Sequence, residues 1–351
     1  MPAVKSLDLK LARITADPHG ARDFILADAK DADMAFGVTA PGPSSKGSGR
    51  SMAWCETAEC WKTLEDYLRQ IREVIEQGLI DIMLLSASNL ERLAMEEKLF
   101  AGSPITPAAR ANDTSDIWAV RGGKYPRQAS RAFRSATIDH IMHGRVDPPP
   151  GAPFTGADLG LYSITFTNDL ESDFKSLQIY NDFRIEAERK GFRHFLEVFN
   201  PNVDPGIPSR DVPLFLNDHI VRTLAGVTRR GRPIFLKIPY NGPEALEELV
   251  AYDPSVIVGI LGGSAGTTYD AFKLIAEAQK HGARVALFGR KINLSEHPLS
   301  FIRFLRAITD GQITSEEAVR AYHGELEKLK IKPHRGLNAD LQLTTKIMSY
   351  R

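Results

Sequence analysis

Short apolar runs rich in β-branched residues recur along the chain, and most are followed by a stretch whose apolar residues return every three or four positions. The runs cover residues 24–28 (FILAD), 80–86 (IDIMLLS), 116–121 (DIWAVR), 159–166 (LGLYSITF), 194–199 (HFLEVF), 233–240 (PIFLKIPY), 256–263 (VIVGILGG) and 284–289 (RVALFG). Amphipathic segments lie between them, clearest at 63–76, 174–189 and 269–280. Strand and helix in alternation is the βαβ signal, and eight strands close a parallel barrel. The pattern predicts an α/β chain: one (β/α)8 TIM barrel over about residues 20–308 of the 351. An open doubly wound sheet is the structural alternative.

Three stretches break the pattern. Residues 38–61 hold GPSSKGSG, a Gly/Ser/Pro-rich run that supports no regular element. Because it follows the first strand, it belongs at the C-terminal mouth of the barrel, either as a lid or as a plain surface loop. Residues 146–156 (VDPPPGAPFTG) read as a stiff connection before the fourth strand. Residues 309–351 read as a C-terminal extension of one or two helices and a polar tail, used for packing or for contact between copies.

Lys plus Arg and Asp plus Glu both total 44, so no net field draws the chain to nucleic acid or to an anionic membrane. The opening residues carry charges too often for a signal peptide, and no run approaches the roughly 20 apolar residues of a membrane span. These features point to a cytoplasmic protein acting on a small molecule. Cys55 and Cys60 are too few for a disulfide framework, and without histidines beside them they make a poor metal site. No metal or other cofactor is expected.

In barrels of this type catalytic groups sit at the C-terminal ends of strands, and phosphate is commonly held by the loops after strands seven and eight. The sixth run places Lys237 among apolar neighbours. Period-two alternation puts Phe235, Lys237 and Pro239 on one face and Ile234, Leu236 and Ile238 on the other. The apolar second face suits the outer helices, so Lys237 points into the barrel. Enclosure there disfavours an ammonium and leaves more free amine to attack a carbonyl. The structural alternative is an ion pair with Glu197, which shares an inward face with Phe195 and Phe199. The seventh run ends in GlyGlySerAlaGlyThrThr and the eighth in PheGlyArgLys. Glycines there let backbone N–H groups approach an anion, and Arg290 adds a two-pronged donor.

At these residues the chain resembles the class I aldolases of the deoxyribose-phosphate, tagatose-bisphosphate and archaeal-type fructose-bisphosphate group. The resemblance runs from Pro233 to Leu305 and rests on FLKIPYNG followed by ILGGSAGTTYDAFKLIAEAQKHGARVALFGRKI. It implies a Schiff base at Lys237 and a substrate phosphate held by Gly262, Gly263, Ser264, Gly289 and Arg290. It also matches Asp28 to the family's strand-one aspartate, with Asp31 and Asp33 as alternatives. The family's strand-five tyrosine has no counterpart, since HFLEVFNPN offers Glu197 and Asn200 instead. Glu197 or Asp28 is then the candidate for proton transfer. Arg121 and Thr165, near other predicted strand ends, are candidates for contacts to the sugar.

The expectation is a metal-independent lyase that cleaves or forms a C–C bond in a phosphorylated sugar or sugar-acid through a lysine Schiff base. Decarboxylation, dehydration or isomerisation would share the imine stage. A non-catalytic sugar-phosphate-binding barrel would keep the glycine turns and use Lys237 only as an ion pair. A homo-oligomer is expected by analogy with other barrels of the group.

Overall fold

The computed structural model describes residues 3–44, 60–263 and 266–348. Eight parallel strands form a closed barrel: β1 (Ile25–Lys30), β2 (Ile82–Leu85), β3 (Thr106–Arg110), β4 (Leu159–Thr165), β5 (Arg193–Phe199), β6 (Leu236–Ile238), β7 (Val258–Leu261) and β8 (Val285–Phe288). Each strand pairs with its sequence neighbours, and β8 closes on β1. Such parallel closure needs an alternation of small and branched apolar residues inside and a continuous apolar outer face. Ile25, Ala27, Ile82, Leu84, Ala108, Leu159, Leu161, Phe195, Phe235, Val285 and Leu287 fill the interior. Leu26, Met83, Leu85, Leu196, Leu236 and Ile260 pack outward against the helices.

The helices begin and end where local chemistry dictates. Thr63 and Asp66 form a reciprocal cap on the helix Leu64–Gln77, and Thr267 and Asp270 do the same for Thr268–Lys280. The helix Leu170–Lys190 stops at Gly191, which takes the left-handed conformation. A helix at Ser6–Ala16, which the sequence pattern did not suggest, closes the N-terminal end of the barrel. It buries Leu7 and Ile14 in the interior cluster, while the Lys5 ammonium donates to the carbonyls of Phe100, Ser103 and Ile105.

The third strand corrects the expectation. It is Thr106–Arg110, and residues 116–121 are irregular. TPAAR has a proline and two alanines, which are poor strand formers, so it does not read as a strand. The apolar character of 116–121 has another use, because Trp118 stacks on Tyr125 with ring centroids 4.7 Å apart and lies 5.5 Å from Phe133. This small cluster sits beside an antiparallel pair, Asp113–Thr114 with Ala132–Phe133, that replaces the usual helix directly after β3.

The C-terminal region packs on the barrel. The helix Ser315–Lys328 presents Tyr322 to Phe301 and Phe272, with ring centroids 5.8 and 6.4 Å away. The polar tail is tied down as well, since the Thr344 and Thr345 amides both donate to Asp270 at 2.9 Å. Of the segment 38–61, residues 45–59, including Cys55, lie outside the described residues. Its two ends are joined, with Ser44 N–H donating to the Cys60 carbonyl at 2.8 Å and Lys62 N–H to that of Gly42 at 3.0 Å. Among the described residues no helix is long and apolar enough to cross a membrane.

Candidate active site

The parallel register sets three inward side chains in one row. Ser163 of β4 lies beside Glu197 of β5, and Glu197 lies beside Lys237 of β6. Lys237 Nζ is 2.5 Å from Glu197 Oε1, and Ser163 Oγ donates to Glu197 Oε2 at 2.6 Å. Lys237 is 6% exposed and Glu197 1%, so the pair is screened from bulk water and opens only toward the barrel mouth. Ser163 is itself held by Asn112, whose side-chain amide accepts from its N–H at 2.6 Å and donates to its carbonyl at 2.8 Å.

Arg110, the last residue of β3, extends the row. Its Nη1 donates to Ser163 Oγ at 3.1 Å, its Nη2 lies 3.7 Å from Glu197, and its Nε donates to Asp31 at 2.5 Å. The result is a buried chain, Asp31–Arg110–Ser163–Glu197–Lys237, in which each charge has an opposite neighbour. Buried charges persist in this way, paired and hydrogen-bonded. A carboxylate that touches both the lysine amine and a hydroxyl can accept a proton from the amine and return it to a leaving oxygen.

Asp31, Arg110, Glu197 and Lys237 of this row line a cavity of about 280 Å³ at the C-terminal end of the barrel. Its opposite wall is built from the turns after β7 and β8, where Gly262, Gly263, Gly289 and Arg290 line the space. Glycine is required at two of these positions. A methyl group on Gly262 would sit 2.3 Å from the Phe288 ring, and Gly263 has φ of +58°. Burial lowers Arg290 from the usual guanidinium range, with Glu197 opposing the shift, and among the described residues no carboxylate forms an ion pair with it. A guanidinium with no carboxylate partner, reachable from the barrel mouth beside bare backbone turns, favours an anion.

No protein-family model matches the chain. The 2-amino-3,7-dideoxy-D-threo-hept-6-ulosonate synthase 1 of Archaeoglobus fulgidus is 33% identical over 91 residues, 26% of this chain and 34% of that protein. The chain thus matches about a third of that relative's length. An archaeal fructose 1,6-bisphosphate aldolase superposes with a TM-score of 0.57 at 14% identity, covering 86% of this chain and 99% of the other. A second archaeal structure, with the catalytic lysine covalently bound to the carbinolamine intermediate of its substrate, gives 0.56 at 15% identity over 86% and 99%.

The chain has the (β/α)8 barrel fold of these archaeal aldolases.

Within this barrel, the residues singled out from sequence fall into three groups. Lys237, Glu197, Gly262, Gly263, Gly289 and Arg290 all line the one cavity. Ser264 lies outside the described residues. Asp28, Arg121 and Thr165 do not line it. Thr165 faces the barrel mouth but donates to Asp116 at 2.9 Å, and it is Asp116 that reaches the cavity. Arg121 is exposed, because the segment expected to be a strand is a surface loop.

Asp28 is the instructive correction. It shares the outer face of β1 with Leu26 and Lys30, whereas Asp31, just beyond the strand, turns into the cavity. Asp28 is fully buried, neither carboxyl oxygen has a hydrogen-bond partner, and the Lys30 ammonium is 3.4 Å away. Burial raises its pKa to about 6, with Lys30 opposing the shift. Because the folded value lies above the unfolded one, the folded state binds the extra proton first. This group therefore adds stability as pH falls from about 7 toward 4, and the gain is on the order of 3 kcal/mol. Asp28→Asn is expected to lack that gain. Urea titrations of both proteins across this range check it, and parallel pH dependence would contradict the assignment.

The sequence reading missed Arg110, Ser163 and Asp116, and it held Asp31 only as an alternative. Arg110 ends PAAR, a run without strand character that precedes the apolar segment 116–121, which reads as the third strand.

Proposed function

We propose that this protein is a Schiff-base-forming lyase that cleaves or forms a C–C bond in a phosphorylated sugar or sugar-acid. The observation that carries the reading is a buried lysine at a strand end, 2.5 Å from a carboxylate and in one cavity with two glycine turns and an unpaired arginine. The shared fold with an aldolase whose lysine carries a carbinolamine supports it.

The chemistry follows from the row of side chains. Glu197 takes a proton from Lys237, and the free amine adds to the substrate carbonyl. Glu197 returns the proton to the carbinolamine oxygen, which leaves as water and gives a protonated imine. When the bond two carbons along breaks, its electron pair flows into the imine to form an enamine. The proton of the substrate's β-hydroxyl passes to a carboxylate, and an aldehyde departs. Protonation of the enamine carbon and hydrolysis of the imine release the second product and restore the amine. Throughout, the Arg110 guanidinium keeps Asp31 and Glu197 compensated, so Glu197 can gain and lose its proton without leaving an isolated buried charge.

The phosphate end is testable on its own. Arg290→Ala is expected to raise KM for a phosphorylated substrate by about 10- to 100-fold while leaving kcat within a few-fold. Steady-state kinetics check this, and an equal loss in kcat with KM unchanged would place Arg290 in the chemical step instead. The function itself is tested by following aldehyde release from a panel of phosphorylated ketoses, and condensation in the reverse direction. Turnover that vanishes in Lys237→Met supports a lyase. Imine formation without C–C cleavage or synthesis on any substrate contradicts it.

A further inference from the structure

Six charged residues line the cavity: Asp31, Asp116 and Glu197 against Arg110, Lys237 and Arg290. Four of them are already committed to each other. Arg110 bonds Asp31 at 2.5 Å, and Lys237 meets Glu197 at 2.5 Å. Converting Lys237 to a protonated imine preserves that second pairing, since positive charge remains beside Glu197. Among the described residues this leaves one lining cation without a carboxylate partner, Arg290, whose guanidinium lies over the Phe36 ring at 5.8 Å, and one lining carboxylate without a cation, Asp116.

Their places in the barrel are opposed. Arg290 follows β8 and sits with the turns after β7 and β8. Asp116 belongs to the loop after β3 and is fixed by Thr165, the last residue of β4, at 2.9 Å, and by Ser130 at 2.7 Å. In the closed order of strands, β3 and β4 are three or four places from β7 and β8. The cavity is therefore polarised across its mouth, positive at one end and negative at the other, with Lys237 on the wall between them. The two hydroxyl bonds hold the Asp116 carboxylate in one orientation and leave its remaining lone pairs to accept from a donor in the cavity.

We propose that the substrate carries a single phosphate, seated against Arg290 and the glycine turns, and presents a hydroxyl or ammonium to Asp116 at its other end. This rests on the reading of the site given above and narrows its substrate class. A second phosphate at the far end would meet Asp116 with no free cation beside it among the described residues that line the cavity, and like charges in a cleft are strongly rejected. Asp116 is thus a specificity-determining residue, and the preference separates this chain from a bisphosphate aldolase of the same fold.

The test uses hexitol phosphates, which have no carbonyl and cannot form an imine, so the outcome is independent of the lysine chemistry. Titration calorimetry on the wild-type protein compares a hexitol monophosphate with the corresponding bisphosphate. The monophosphate is expected to bind about tenfold or more tightly, and Asp116→Asn is expected to narrow that ratio by about fivefold by improving the bisphosphate. Arg290→Ala should weaken both ligands. A bisphosphate that binds wild type as well as or better than the monophosphate overturns the proposal. So does binding of neither ligand, or an Asp116→Asn variant that weakens both ligands equally. Failure of imine trapping at Lys237 would be a separate result and would fall on the lyase reading alone.

Discussion

Lys237→Met is expected to lower kcat/KM by about four orders of magnitude or more, because removal of a covalent nucleophile eliminates the reaction path and leaves only binding and electrostatic effects. Methionine is close to lysine in length and keeps the apolar contacts of β6, so the barrel should still form. Stability should nevertheless fall, because Glu197 would keep only Ser163 at 2.6 Å and the Arg110 guanidinium at 3.7 Å. Breaking a buried pair by removing one partner costs about 3–5 kcal/mol. Adding Glu197→Gln removes the orphaned charge, so the double variant should recover most of that loss while remaining inactive. Denaturant midpoints and single-turnover kinetics on the two variants separate the roles. Loss of stability without loss of activity in Lys237→Met would make the lysine only an ion-pair partner.

Arg110→Met is expected to damage stability as much as Lys237→Met. It strips the guanidinium from Asp31 and Glu197, which are 7% and 1% exposed. The expected cost is about 3–5 kcal/mol, with activity falling as well, because the carboxylate beside Lys237 loses its second counter-charge. The pairing predicts non-additivity: in an Asp31→Asn background the same substitution should cost less by about 1–3 kcal/mol. Chemical denaturation of the four proteins of this cycle measures the difference. Strict additivity would show that the Asp31–Arg110 contact carries no coupling.

These two residues mark where the sequence was legible and where it was not. Lys237 and Glu197 lie in runs whose alternation is plain, PIFLKIPY and HFLEVF, so their shared inward face follows from period two. Register alone then sets them side by side. Arg110 lies in a strand made of small residues and a proline, whose burial comes from close packing inside the barrel and not from hydrophobic content. Mistaking the apolar 116–121 loop for that strand moved attention from Arg110 to Arg121. Asp28 and Asp31 differ by an odd number of positions, so they cannot share a face, and only packing shows that Ala27 and Ala29 fill the interior. The part played by Asp116 had no local signal, because it depends on a loop folding back to meet Thr165 and Ser130.

The glycine turns were legible for the opposite reason. Their requirement is steric and local, a ring against Gly262 and a positive φ at Gly263, and such requirements leave a direct mark on residue choice.

A covalent imine at Lys237 is tested most directly by borohydride reduction in the presence of phosphorylated ketoses and aldehydes, followed by intact mass and peptide mapping. A single stable adduct is expected, with the mass of protein plus substrate less one oxygen (one water lost, two hydrogens gained), on the peptide carrying Lys237 and missing from Lys237→Met. An adduct on another lysine, or none with a carbonyl compound that demonstrably binds, would contradict it.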